Sequence, residues 1–389
     1  MKAITVLSLF DGMSCGRLAL ERAGVNVLEY YASEIDKYAI QVAMKNYPDT
    51  KQVGNVTELK STDFSKIDLL IGGSPCQDLS KAKTDGKGLN GSNSGLFWEY
   101  VRLLKELKPT YFLFENVIMK KEWVDIINNE LGCESIEINS NLVSAQNRRR
   151  LYWTNIPNII QPKDKGILLG DIIYDDTYKV FTDERITKTK KITKNYIKWD
   201  LSGKKYWSQQ DRAYFKEKKI CTLPKANPAN KLNIVLDYEN DIYRRIHPVE
   251  AERCQNVPDD YTSGVKDNKR LEMLGNGWTV DVIAHIFSYL KENEMELEEQ
   301  NLNELEKLQS KKTLIMKIDI SKIKVGDKVC YQPAHYETER WENGMIKEIP
   351  EHTDTALRVV YNCNGDWKEF KNYTSALTNL KDLKLGWKH

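Results

Sequence analysis

Short apolar runs and amphipathic stretches alternate along the first 155 residues, and this alternation limits the possible folds more than any other feature. Residues 4–10, 27–31, 68–71 and 111–114 read as strands; 17–23 (closed by Gly24), 37–47, 97–107 and 122–131 read as helices. Strand, helix, strand repeated in this way predicts an α/β fold with a doubly wound, mostly parallel sheet. Ligands of such sheets sit beyond the carboxyl ends of the strands.

Those strand ends carry the reactive residues. After the strand at 68–71 comes Gly72-Gly73-Ser74-Pro75-Cys76-Gln77, a turn presenting a thiol. Gly73 lets the backbone approach a ligand closely, and Pro75 fixes φ just before the cysteine. The next strand ends in Glu115-Asn116-Val117, and Gln146-Asn147-Arg148-Arg149-Arg150 precedes the aromatic strand Leu151-Tyr152-Trp153. A thiol, a carboxyl and two alternate arginines at successive strand ends form a catalytic constellation. Phe10, Gly12 and Gly16 occupy the first strand-to-helix turn, with a spacing different from the dinucleotide fingerprint. Glu34, at the end of the second strand, is placed for ribose hydroxyls. The Asn55 side-chain carbonyl could accept from an adenine amino group. An adenosine cofactor without a pyrophosphate grip fits S-adenosylmethionine better than NAD.

Bulk composition narrows the class. At 389 residues and 45.1 kDa the chain accommodates one large domain and one or two small ones. No apolar stretch approaches a membrane span, and the first apolar run meets Asp11 too early for a signal peptide. Seven cysteines without a CxxC pair argue against a disulfide scaffold and a zinc cluster, so a reducing cytoplasm and no metal are expected. The net charge of +2 conceals segregation: 179–231 is rich in lysine and 292–306 is acidic. The basic segment is the footprint of a polyanion partner.

The organisation follows from where periodicity stops. Residues 1–155 form the cofactor-binding catalytic domain. Residues 156–241, with lysines, Trp199, Tyr206, Trp207 and Tyr214 among turn residues, read as a separate inserted lobe. The chain returns to the catalytic domain over 242–290, where Pro248 opens a helix and 275–280 forms a turn leading into an apolar helix. An acidic helical linker at 291–316 precedes a small barrel-like β module at 317–389, with Asn343-Gly344 and Asn364-Gly365 as turns and Trp341 and Trp367 between strands.

Taken in order, these motifs resemble the cytosine carbon-5 DNA methyltransferases, the family of bacterial modification enzymes and eukaryotic DNA methyltransferases. The likeness covers 4–156 and 244–290, and Ser74–Ser80 is locally similar to the animal de novo enzymes. The resemblance implies a class I S-adenosylmethionine-dependent methyltransferase fold. It implies a cofactor site made of Phe10, Gly12, Gly16, Glu34, Ile35, Asn55, Pro75, Asn276 and Trp278. Two positions depart from the family: Asn55 stands where Asp is usual, and Trp278 where a small residue is usual.

The implied chemistry is covalent activation. Cys76 adds to carbon-6 of cytosine, and Glu115 acts at ring nitrogen 3. Arg148 binds the carbonyl edge of the base and helps orient Glu115; Arg150 supports the loop or a phosphate. The base must be flipped out of the duplex, and the glycine-rich stretch 83–95 reads as a loop closing over it. DNA contacts are expected from Gln77, Ser80 and Gly88 near the nucleophile and from Lys204, Gln209 and Arg212 in the lobe. The partner is double-stranded DNA, the enzyme a monomer, and the C-terminal module a further DNA or protein contact. Two alternatives share the fold: an RNA-directed enzyme, disfavoured by the basic lobe, and an inactive DNA-binding regulator, disfavoured by intact Cys76, Glu115, Arg148 and Glu34. His247, beside Pro248, reads as structural.

Overall fold

The computed structural model describes residues 2–75, 94–182, 191–198, 212–224, 232–290, 319–332 and 340–388. The chain divides into two compact units, Met1–Met295 and Glu296–His389.

Eight strands begin the first unit: β1 (Ile4–Leu9), β2 (Val27–Ser33), β3 (Lys51–Gln52), β4 (Leu69–Gly72), β5 (Tyr111–Val117), β6 (Ile136–Asn139), β7 (Gln146–Asn147) and β8 (Arg149–Thr154). Helices α1 (Cys15–Arg22), α2 (Lys37–Asn46), α3 (Phe97–Leu107) and α4 (Lys121–Leu131) connect them. Seven strands form one sheet in the order β3-β2-β1-β4-β5-β8-β6, parallel except that β8 runs against both β5 and β6. The chain leaves β1 toward one edge and returns at β4 toward the other. A crevice therefore opens at the β1/β4 carboxyl ends.

Alternate residues of the central strands feed two apolar layers. Val6, Leu69, Ile71 and Leu113 pack with α1 on one face; Leu7, Leu70, Phe112 and Phe114 pack with Phe97 and Tyr100 of α3 on the other. Val6, Leu7, Leu69, Leu70 and Ile71 are completely buried, as strands covered on both faces require. Asp36 caps α2 by accepting from the Tyr38 and Ala39 amides, and Gly132 closes α4 in the left-handed conformation.

One strand is longer than expected. β5 continues to Val117 because β8 pairs with it through Glu115↔Tyr152 and Val117↔Arg150. Glu115 therefore projects from within a strand, not from beyond its end.

The inserted segment contributes β9 (Val180–Thr182), β10 (Lys191–Ile192), β11 (Tyr196–Lys198), β12 (Arg212–Tyr214), β13 (Ile220–Cys221), β14 (Asn233–Asp237) and β15 (Ile242–Arg245). Six of them form a sheet in the order β10-β11-β12-β14-β15-β9, while β13 pairs with β7. Two expectations change here. The lobe's sheet runs past 241 to Arg245, and the segment divides its apolar residues between two clusters, one of its own made of Ile197, Ala213, Val235 and Tyr243 and one shared with the catalytic domain. Leu169, Ile172, Ile220, Leu223, Ile234 and Ile246 belong to the same apolar cluster as Val6 and Ile71.

Helices α5 (Pro248–Cys254) and α6 (Asp267–Asn276) follow, and α7 is helical over 280–290. Pro248 occupies the first turn of α5; His247 Nδ1 accepts from the Val249 amide, and the Glu250 carboxylate accepts from the His247 amide. Glu250 also pairs with Arg244 at 2.7 Å, both side chains fully buried. Removing either partner would strand a buried charge, at a cost of about 3–5 kcal/mol. His247 is thus a helix cap. Gly275 and Asn276, expected in a turn, form the last residues of α6.

The second unit carries β16 (Lys328–Tyr331), β17 (Glu342–Glu348), β18 (Ala356–Val360), β19 (Ala376–Asn379) and β20 (Leu383–Leu385), an antiparallel sheet in the order β19-β18-β17-β16-β20. The last strand returns beside the first, over a core of Val329, Ile346, Leu357 and Val359. Asn364-Gly365 is a turn with positive φ at both residues (55° and 85°). Asn343-Gly344 is not: it lies inside β17, where a Cβ on Gly344 would come within 2.6 Å of Val359. Close strand packing, not turning, demands that glycine. The acidic stretch 291–316 lies outside the described residues.

Candidate active site

The β1/β4 crevice opens into a cavity of about 530 Å³, lined on one side by Phe10–Met13, Glu34–Asp36 and Asn55. Its other side is formed by Gly73–Pro75, Glu115, Arg148, Arg150 and Trp278. That volume lies within the range of small-molecule and cofactor sites.

The backbone after β1 is unusual. Phe10, Gly12 and Ser14 all have positive φ (58°, 61° and 63°), and two of them carry side chains. Asp11 holds this turn together: its carboxylate accepts from Ser14 Oγ at 2.5 Å and Tyr30 OH at 2.7 Å. Burial pushes the Asp11 carboxyl above the usual range. The turn brings the Gly12 amide to Glu34, whose Oε2 accepts from it at 2.8 Å. Glu34 Oε1 accepts from the Ile35 and Asp36 amides at 2.8 and 2.9 Å. Three main-chain donors thus fix the Glu34 carboxylate at the cavity wall. Ile35 beside it is 75% exposed, an apolar surface with nothing of its own over it.

Two residues of this half line the cavity and also serve the local structure. Asn55 Oδ1 accepts from the Thr57 amide at 3.2 Å and caps the turn Val56–Glu58, so the oxygen expected to meet an adenine amino group already has a donor. Gly16 lines the cavity while packing against β4: a Cβ there would lie 2.5 Å from Ile71 Cδ1. Its absence lets α1 lie on β4. Cys15 shares this wall, but burial raises its thiol to about 12. It is no nucleophile at neutral pH.

In the second half, Glu115 is gripped on both oxygens. Arg150 Nε lies 2.9 Å from Oε1, and Trp278 Nε1 donates to Oε2 at 3.0 Å. A guanidinium on Glu115 is thus that of Arg150, which expectation had placed at the loop or a phosphate. Arg148 is buried and donates to the carbonyls of Gly275 (3.2 Å) and Gly277 (2.8 Å). Expectation placed Trp278 against the cofactor, and nothing in the motif order foretold its bond to Glu115. Gly73 completes the group: a Cβ would lie 2.8 Å from Glu115 Oε2 and 3.2 Å from Trp278 Nε1. The close approach at Gly73 is thus by protein atoms. Asn116 Nδ2 donates to the Ser74 carbonyl and Oγ, both at 3.3 Å, tying the start of the nucleophile turn to β5. Cys76, Gln77, Ser80 and Gly88 lie outside the described residues.

Behind these side chains runs a buried amide network that sequence reading missed. Gln146 Nε2 donates to the Cys254 carbonyl and to Gln255 Oε1. Gln255 Nε2 donates in turn to Leu274 O and Gly277 O. Gln146 Oε1 accepts from the Leu223 amide, which joins the inserted segment to the site. Through this link Thr222, Leu223 and Pro224 line the cavity. They sit in an aperiodic stretch, and only the long-range β7–β13 pairing reveals them. Arg212 lies in β12 with its guanidinium 4.5 Å from the Tyr196 ring centroid, apart from the cavity-lining residues; Lys204 and Gln209 are outside the described residues. Asn276 lines the cavity from the end of α6. Among the described residues no His, Cys, Asp or Glu group is arranged for a metal, and no helix is long and apolar enough to cross a membrane.

The chain belongs to the C-5 cytosine-specific DNA methylase family, whose sequence model matches residues 4–292. It is accordingly a DNA cytosine-5 methyltransferase. It is 27% identical to the type II methyltransferase M.NlaX of Neisseria lactamica, over 74% of this chain and 96% of that one. The type II methyltransferase M1.ScrFI of Lactococcus lactis subsp. cremoris is 28% identical, over 72% of this chain and 76% of its own length. Among solved structures, the Entamoeba histolytica methyltransferase EhMeth superposes with a TM-score of 0.59 at 18% identity, covering 75% of this chain and 99% of that one. S. pombe Dnmt2 methyltransferase gives 0.56 at 17%, with 75% and 99% coverage. These likenesses match the fold expected, that of S-adenosylmethionine-dependent methyltransferases.

Proposed function

We propose that the cavity takes S-adenosylmethionine on its Gly12–Glu34–Ile35 side and a flipped cytosine on its Gly73–Glu115–Arg150 side. The observation that carries this reading is the Glu115 carboxylate, clamped on both oxygens on the strand paired with β4, whose carboxyl end leads into Ser74 and Pro75. The first half suits the cofactor chemically. Glu34 keeps lone pairs for a ribose diol, Ile35 offers an apolar face to a purine, and the backbone at Gly12 is open, with nothing within 4 Å of a Cβ position. When bound, S-adenosylmethionine supplies an electrophilic methyl group.

The remaining steps fall to the chain's own residues. Cys76, as thiolate, adds to carbon-6 of the ring and makes carbon-5 nucleophilic. Glu115, carrying a proton, donates it to ring nitrogen 3 or hydrogen-bonds there, and so stabilises the negative charge that thiolate addition develops. Arg150 holds Glu115 in register, and Arg148 holds the Gly275–Gly277 backbone that carries Trp278. After methyl transfer the carbon-5 proton leaves, the carbon–sulfur bond breaks and Cys76 is regenerated. The base reaches these groups only outside the helix stack.

The inserted segment, with its lysines and Arg212, reads the duplex, while the C-terminal module adds a further DNA or protein contact. The enzyme acts as a monomer on double-stranded DNA in a reducing cytoplasm. Support for the reducing compartment comes from the cysteines, none of those described being disulfide-bonded. Tritiated methyl transfer to duplex DNA and to RNA tests the reading. Label in DNA is expected, and label in RNA alone would overturn it.

A further inference from the structure

We infer that Trp278 is a positioning residue for methyl transfer: its indole N–H sets the orientation of Glu115 toward the target base. The inference rests on the role proposed above for Glu115.

A glutamate carboxyl that must meet one ring nitrogen has three rotatable bonds and two equivalent oxygens, so its direction has to be imposed from outside. Arg150 Nε holds Oε1 at 2.9 Å, and that contact alone leaves the carboxylate plane free to turn about it. The Trp278 bond to Oε2, at 3.0 Å, removes this freedom. Its donor is a neutral N–H on a rigid bicycle. It fixes direction without adding a second positive charge to compete for the carboxylate.

The indole is itself wedged. Trp278 packs against the main apolar cluster, and its ring edge lies within 3.4 Å of where a Gly16 Cβ would be. The missing Cβ of Gly73 leaves the space in which Glu115 Oε2 and Trp278 Nε1 meet. From behind, Arg148 and Gln255 both donate to the Gly277 carbonyl, adjoining Trp278. Two glycines, a buried arginine and a buried glutamine thus converge on one indole.

The test is Trp278→Phe, which keeps an aromatic ring and removes the donor. Three quantities are measured on the full chain: kcat for methyl transfer, Kd for S-adenosylmethionine, and solvent hydrogen exchange at carbon-5 of the target cytosine without the methyl donor. The exchange reports addition of Cys76 and the action of Glu115, and needs no cofactor. The expected result is a loss of about 10- to 100-fold in both kcat and exchange, the size of one hydrogen bond to a charged group, with Kd changed less than about twofold. If Kd weakens while exchange is unaltered, Trp278 packs the cofactor and the inference fails. Unchanged kcat and exchange would equally overturn it. Glu115→Gln separates this inference from its premise. A glutamine variant with wild-type activity removes the role of Glu115 itself. An inactive one beside a fully active Trp278→Phe removes only the role of the indole. A thermal melt of each variant identifies one that fails to fold; Trp278→Tyr, with the same readouts, then replaces Trp278→Phe.

Discussion

The two carboxylates of the cavity, Glu34 and Glu115, are held in opposite ways. Glu34 is fixed by the amides of Gly12, Ile35 and Asp36, the last two within two residues of it. Glu115 is fixed by the side chains of Arg150 and Trp278, the latter 163 residues away in sequence. Main-chain donors follow from a strand end and a glycine turn, so they are cheap to encode and tolerant of change elsewhere. Side-chain donors require the whole fold to be assembled first. The cofactor end is therefore built locally and the reacting end by convergence.

Replacing each carboxylate by its amide should break the molecule at different points. Glu115→Gln should lower kcat by about 10²–10⁴-fold, the usual contribution of an acid–base group, with cofactor affinity retained. Glu34→Gln should weaken S-adenosylmethionine binding by about 10- to 100-fold while kcat at saturation stays near that of the wild type. Calorimetric titration together with steady-state kinetics checks both. If Glu34→Gln lowers kcat instead, the two halves do not divide as described.

Smaller perturbations sharpen the contrast. Gly73→Ala places a methyl 2.8 Å from Glu115 Oε2. It should destabilise the protein by about 1–3 kcal/mol, as overpacking does, and lower kcat with little effect on cofactor Kd; thermal melts and kinetics follow each. Gly12→Ala meets no neighbouring atom but forces a residue with φ of 61° to carry a side chain. Its expected cost is about 1 kcal/mol, visible as a small drop in melting temperature. Exchanging the inserted segment for that of another family member should move methylation to other sequences, read by bisulfite sequencing of the methylated DNA.

The same division explains what could be read from the sequence. Strand and helix periods placed the parallel sheet and the strand ends where its ligands sit, because central strands buried on both faces must be continuous apolar runs. Phe97–Leu107 was legible to the residue, and Glu34 followed from its distance to the glycine turn. The contact of Arg150 with Glu115 was not legible. Arg148 and Arg150 alternate on one side of the chain, and only the antiparallel register of β8 against β5 brings Arg150 to Glu115. Trp278 was noticed as a departure, but its partner lies on a strand that no local pattern connects to it. Thr222–Pro224 gave no signal, since the surrounding stretch lacks periodicity and Ile220 and Leu223 pack into the apolar cluster of the catalytic domain. Asn343-Gly344 misled because its dipeptide is a turn signature, whereas the space available in β17 decided its use.

In the chemistry proposed here, cytosine is methylated through a covalent adduct at Cys76. Duplex DNA with 5-fluorocytosine at the target position tests it most directly, because fluorine cannot leave as a proton does. The account predicts a denaturation-resistant protein–DNA complex that forms with the wild-type chain and S-adenosylmethionine and is absent with Cys76→Ser. Normal methylation by Cys76→Ser, or no complex with the active wild-type enzyme, would contradict it.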